Sequence, residues 1–123
     1  MDKPTLYNWN DVEEEQLKRG VRRRYIAGKS AMIARFELSK GEIVPEHAHH
    51  NEQVSYIVSG ALKFVFDGKD EMIARGGDVV VIPSNVPHSA ETLEDCVAID
   101  VFSPPRQDWI DKEDAYLREG VAP

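Results

Sequence analysis

The residues best suited to chemistry are the histidines. The 123-residue chain has four, and three of them, His47, His49 and His50, fall within four positions, with His88 far downstream. On an extended chain, side chains two apart share a face. His47, His49 and Gln53 have one parity, and His50 and Glu52 have the other. If the segment is extended, two imidazoles and one carboxamide converge on one side. A facing strand carrying His88 completes a set of three nitrogens and one oxygen, which suits a divalent metal such as Ni, Zn, Mn, Fe or Co. Two alternatives stay open at this level. An isolated His-x-His is more often a solvated surface cluster, and a bulge would turn Glu52 rather than Gln53 toward the histidines.

A second group lies downstream, where Asp100 and Phe102 share one face of the stretch at residues 97–102. An acid in an otherwise apolar strand is unusual, because an unpaired buried carboxylate is costly. Arg106 follows Pro104-Pro105 and can fold back to the same mouth. An outward, solvated Asp100 and a surface Arg106 are the plainer readings.

These residues need a scaffold, and the apolar pattern supplies one. Short apolar or alternating stretches occur at residues 21–27, 31–38, 54–58, 62–66, 72–74, 79–82 and 97–102. Turn signals separate them: Gly28, Ser39-Lys40-Gly41, Ser59-Gly60, Asp67-Gly68, Gly76-Gly77, Pro83-Ser84-Asn85 and Glu94-Asp95. Regular short strands with turn chemistry between them predict an all-β antiparallel barrel or sandwich. Asp67-Gly68 predicts a type I′ hairpin, and Leu62, Phe64 and Phe66 predict one buried strand face. Residues 1–20 read as a polar arm with a helical turn near Trp9 and Val12, residues 21–106 as the barrel, and residues 107–123 as a tail. That tail carries a helix candidate over residues 107–118, with Trp109, Ile110, Tyr116 and Leu117 for packing.

Composition narrows the function classes. Apolar residues are 41% and charged residues 30%, as in an ordinary globular domain, and the net charge is −7. That acidity argues against a general nucleic-acid or anionic-membrane binder. No apolar run reaches membrane-span length, residues 1–20 lack the apolar stretch of a signal peptide, and the single cysteine, Cys96, fits a reducing compartment. The expectation is a cytoplasmic, single-domain protein.

The spacing of the histidines resembles the cupin family. Gly41, five residues, His47-Ala48-His49, three residues, Gln53, six residues and Gly60 match its first motif, with Gln53 where the family most often has Glu. Gly77, five residues, Pro83-Ser84-Asn85, two residues and His88 match its second, with Asn85 in place of the usual Gly and Thr92 in place of the terminal Asn. Asn tolerates a left-handed turn, so the Asn85 exchange is mechanically mild. The resemblance implies a jelly-roll barrel (a double-stranded β-helix) holding a metal through His47, His49, Gln53 and His88. The neutral Gln53 leaves the metal charge uncompensated, which favours Lewis-acid work on an anionic substrate.

Within that family the chain is similar to the small cupins of pectin and alginate catabolism that linearise 4,5-unsaturated monouronates. The shared features are His47-Ala48-His49, Gln53, Ser84-Asn85-Val86-Pro87-His88, Asp100-Val101-Phe102, Arg106 and the opening strand Gly20-Val21-Arg22-Arg23-Arg24. The resemblance implies Asp100 as general acid/base, Arg106 as a bidentate clamp on the substrate carboxylate and Phe102 as a wall for the sugar ring. It also implies a small anionic sugar acid as partner, and a homodimer paired through edge strands. Competing classes are a cupin dioxygenase, a polyketide cyclase-like isomerase and a non-catalytic sugar-binding cupin.

Overall fold

The computed structural model describes residues 3–118. Eight strands run in chain order: β1 (Glu15–Lys18), β2 (Val21–Ala27), β3 (Met32–Leu38), β4 (Ile43–His47), β5 (Glu52–Phe66), β6 (Asp70–Arg75), β7 (Val79–Ile82) and β8 (His88–Ser103). All pairings are antiparallel. The ladder order is β1-β2-β3-β8-β5-β6, with β4 added to β8 and β7 to β5. The first half of β5 pairs with β7, and the last half of β8 with β3. The opposite halves pair with β6 and β4. Two layers therefore share β5 and β8 and face each other across one core, the jelly-roll expected from the sequence.

The expected β2, β3, β6 and β7 form where the alternation places them. The Asp67-Gly68 hairpin does too: φ is 54° and 69° at those residues, and Lys69 N–H donates to the Phe66 carbonyl at 3.0 Å. Asn85 takes φ 64°, the left-handed turn that Asn tolerates. Ser59-Gly60 and Glu94-Asp95 correct the sequence reading. They are not turns between strands but irregularities inside the long strands β5 and β8. The bulge moves the buried set of β5 from Gln53, Ser55 and Ile57 to Leu62, Phe64 and Phe66. That is a change of parity, so both halves of β5 still face inward.

The arm has the expected turn at Trp9–Asp11, capped by the Asn8 side chain accepting from Asn10 N–H at 2.8 Å, and it also contributes β1. The tail differs from one helix over residues 107–118. It forms the single helical turn α1 (Gln107–Ile110) and a 3₁₀ turn at Ala115–Leu117. Lys112 takes φ 58° between them, which turns the chain and ends the helix. Trp109, 2% exposed, packs edge-on against Phe102 at 5.0 Å and Phe36 at 5.8 Å between ring centroids. The tail is thus a strap across one end of the barrel. Residues 1–2 of the arm and 119–123 of the tail lie outside the described residues. No described helix is long and apolar enough to cross a membrane.

The bend in β5 turns on Gly60. Its φ is +87°, and a Cβ there would lie 2.1 Å from the Asp95 carbonyl oxygen and 2.8 Å from Cys96 Cα. Both are backbone atoms of β8, so neither can move aside alone. Gly60→Ala is expected to destabilise the protein by at least ~2 kcal/mol through backbone strain and clash. Urea unfolding measures this, and a midpoint equal to wild type would show that the ladder can relax there.

Candidate active site

β4 ends at His47, which pairs directly with His88 at the start of β8. The chain then leaves the strand, and the loop before β5 carries His49. Imidazole atoms of His47, His49 and His88 lie within 4.8 Å of one another. His49 joins the set through this loop rather than through strand parity. His50 is exposed on the far side of the same loop.

Each ring is oriented by its own backbone. Nδ1 of His47 lies 2.9 Å from the Pro45 carbonyl, Nδ1 of His49 lies 3.0 Å from that of Asn51, and Nδ1 of His88 lies 2.8 Å from that of Val86. A carbonyl only accepts, so all three Nδ1 atoms carry the proton and all three Nε2 atoms present lone pairs. Nε2 of His49 and of His88 is buried with no hydrogen-bond partner among the described residues. Burial pushes His47 down to about 4, helped by the neighbouring His88 and His49. Burial first, then the Arg106 charge, pushes His49 down to about 4, and His88 is lowered for the same two reasons. Three neutral, converging imidazoles, two of them with buried Nε2 atoms that have no partner among the described residues, fit a divalent cation.

Gln53 is 6% exposed and points inward, whereas Glu52 is exposed, so the bulge that would bring Glu52 in does not occur. Gln53 Nε2 donates to Ser55 Oγ at 2.9 Å and to Asp100 Oδ2 at 3.5 Å. The Gln53 carboxamide also lies beside His49. Gln53 thus links the histidines to Asp100. Asp100 and Ser55 are direct cross-strand partners, as are Phe102 and Gln53. Burial raises the Asp100 carboxyl to about 6, against the pull of the Ser55 hydrogen bond and the Arg106 charge.

Asp100, Phe102, Arg106, Gln53, His47 and His88 line one cavity inside the barrel. Arg106 is 2% exposed, with its guanidinium carbon 5.1 Å from the Phe102 ring centre. Its Nε and Nη2 donate to the two carboxylate oxygens of Asp108 at 3.0 and 2.8 Å, and Nη2 also reaches the Tyr116 hydroxyl. The forked edge that a bidentate clamp would use is therefore engaged by Asp108, which leaves the Nη1 side. Sequence reasoning missed Ser55, Asp108, Tyr116 and Asn51. Asn51 Nδ2 donates to the Pro104 and Pro105 carbonyls at 2.6 and 3.2 Å and ties the histidine loop to the segment carrying Arg106. None of the four sits in a motif, although Asp108 at two residues from Arg106 is a visible ion-pair spacing.

The comparisons agree with this geometry. The family model for the cupin domain matches residues 34–102. The pectin degradation protein KdgF of Dickeya dadantii is 31% identical over 99 residues, covering 78% of this chain and 89% of that protein. An acireductone dioxygenase of Bacillus cytotoxicus is 29% identical over 80% of this chain, which spans 61% of that enzyme. The solved structure of KdgF from Halomonas sp. superposes with a TM-score of 0.80 at 25% identity, covering 87% of this chain and 99% of that one.

Two outcomes test the site. Metal content measured after purification is expected to fall to background in a His47→Ala/His49→Ala double variant that keeps its circular dichroism. Because His47 and His49 titrate at about 4 rather than 6.5 and His88 is lowered too, equilibrium dialysis of the wild type is expected to show metal uptake persisting to about pH 5. Equal metal in both proteins, or uptake lost already near pH 6.5, would contradict the assignment.

The neutrality of Gln53 has its own consequence. Gln53→Glu would set a second carboxylate about where Nε2 now lies, 3.5 Å from Asp100. Like charges at that distance share a proton and push one pKa up. The acid limb of the pH–rate profile is expected to move above about 6 with turnover lower at pH 7, and an unmoved limb would show that the amide serves no such purpose.

Proposed function

The chain belongs to the cupin family, and from that premise we propose that it is a metal-dependent enzyme that opens 4,5-unsaturated monouronates to 4-deoxy-5-keto-uronates. The observation that carries this reading is the placement of Asp100, raised to about 6, in one cavity with His47, His88 and a buried arginine, with His49 converging on the other two imidazoles. Similarity to a pectin degradation protein over most of both chains supports it.

The substrate is a ring closed through a hemiacetal, with its carboxylate conjugated to the C4–C5 enol ether. Opening the ring is an isomerisation in which no atom is added. Asp100, largely ionised at pH 7 with a carboxyl near 6, takes the proton from the anomeric hydroxyl. The C1–O bond to the ring oxygen then breaks, leaving an aldehyde at C1 and an enolate across C4 and C5. The proton returned to C4 gives the ketone at C5. Arg106 faces the substrate carboxylate through Nη1, held in place by Asp108 on its other edge. Phe102, stacked under that guanidinium, walls the ring and keeps water out. His47, His49, His88 and Gln53 would hold a divalent ion such as Ni, Zn, Mn, Fe or Co, which would supply positive charge to stabilise the developing enolate.

Loss of the conjugated double-bond absorbance of unsaturated galacturonate measures the reaction. Asp100→Asn is expected to lower kcat ~10²–10⁴-fold with the fold intact. The wild-type kcat is expected to rise through about pH 6 to a plateau, and the variant to lack that limb. Wild-type turnover no faster than solvent rules out this reaction. Oxygen uptake in its place would favour the dioxygenase reading that the acireductone dioxygenase similarity supports.

A further inference from the structure

The C-terminal strap lies outside the segment matched by the cupin model, which ends at residue 102. Yet it places Tyr116 in the cavity. The Tyr116 ring centre is 4.5 Å from that of His47, and its hydroxyl meets Arg106 Nη2. An arginine only donates, so the phenol oxygen accepts this bond and its own proton is left for another acceptor. Among the described residues no acceptor takes that proton. A second strap donor, the buried Trp109 indole N–H, has no well-formed hydrogen bond among the described residues and lies against the same Tyr116 hydroxyl oxygen. Trp109 and Tyr116 line the same cavity as Asp100 and Arg106.

A buried donor left without an acceptor is costly. The strap offers the cavity donors without matching acceptors, and the shortage is of oxygen lone pairs. A ligand that fills it must bring acceptors, as a carboxylate or enolate does, and a neutral sugar has fewer charged ones to offer.

We propose that Tyr116 is a ligand-contacting residue of this site, its hydroxyl donating a hydrogen bond to an anionic oxygen of the bound sugar acid beside His47. This deepens the proposed reaction and rests on its reading of the ligand as a sugar acid. The strap then does more than cover the barrel. It sets selectivity for an acid over the corresponding neutral sugar, from outside the family's motifs.

The test is Tyr116→Phe, which keeps the ring against His47 and removes only the donor. Metal-loaded wild type and variant are compared in turnover of unsaturated galacturonate, in calorimetric titration with D-galacturonate and D-galactose, and in thermal unfolding. A hydrogen bond to a charged oxygen predicts roughly 10- to 100-fold weaker galacturonate binding in the variant. A similar drop in kcat/KM is expected, with D-galactose affinity and Tm unchanged. A merely structural role would lower Tm and leave the acid-to-neutral ratio as it is. Wild-type turnover and galacturonate affinity in the variant overturn the proposal while the reaction stands. A wild type that binds galacturonate without turning over the unsaturated sugar fails the reaction, and the affinity loss in Tyr116→Phe then still upholds the tyrosine. A wild type that neither binds nor turns over overturns both.

Discussion

β5 and β8 pair from Glu52↔Ser103 to Phe66↔His88, and the cavity depends on that ladder. One half of it brings Gln53, Ser55, Asp100 and Phe102 to the interior, and the other half brings His88. For both halves to face the same interior, the parity of β5 has to change on the way. Gly60 allows this, because the backbone of Asp95 and Cys96 occupies the space a side chain would need. Without the change, either Gln53 and Ser55 or Leu62 and Phe64 would turn to solvent. The site and the core are thus fixed by one irregularity, and the backbone carbonyls then aim each imidazole.

The electrostatics of the cavity run against stability in both directions of pH. The histidines prefer to be neutral when folded, with His47 and His49 near 4 against an ordinary 6.5. The unfolded chain therefore binds more protons in that window, and the stability of the metal-free protein falls as pH drops from 6.5 toward 4. Asp100 acts oppositely. Its folded value near 6 lies above 3.8, so the folded state holds the proton longer and stability falls as pH rises through that window. A scaffold optimised for stability alone would carry apolar residues at these positions. The opposite senses have one cause, since burial disfavours the charged form of an imidazole and of a carboxyl alike.

Much of this was legible in the sequence, and what was not had specific causes. Alternation exposed β2, β3 and β7, and Asp67-Gly68 exposed the hairpin, because those signals act locally. β4 was missed since Pro45 and Glu46 break its apolar pattern. Ser59-Gly60 was read as a turn because a bulge and a turn need the same backbone freedom, and only the partner strand tells them apart. Histidine spacing grouped His47, His49 and Gln53 by strand parity, whereas the structure delivers His47 from β4, His49 from a loop and Gln53 from β5. The engagement of Arg106 by Asp108, and the arrival of Tyr116 beside His47, depend on how the tail folds back. No periodicity encodes that return.

What holds the tail in place is a buried charge network. Arg23 and Asp114, both 0% exposed, pair at 2.8 Å; Glu15 accepts from Arg23 at 2.9 Å, and Arg118 donates to Asp114 at 2.9 Å. The network joins β1, β2 and the strap. Such a cluster is weak evidence for stability, since desolvating four charges offsets much of their attraction, but removing one partner strands the rest. Its value here is positional. The Arg23 guanidinium lies 4.2 Å from the Trp109 ring centre and Arg106 lies 4.9 Å from it, so the indole is flanked by both arginines. Despite the burial penalty, Arg118 and Arg23 hold the Asp114 carboxyl below 3.8. Its stabilising contribution is present above that pH and is lost as pH falls through the lowered value. The His47 and His49 imidazoles titrate near 4, above that lowered value. On acidification the cavity therefore loses its neutral donors first and the strap loses its anchor next.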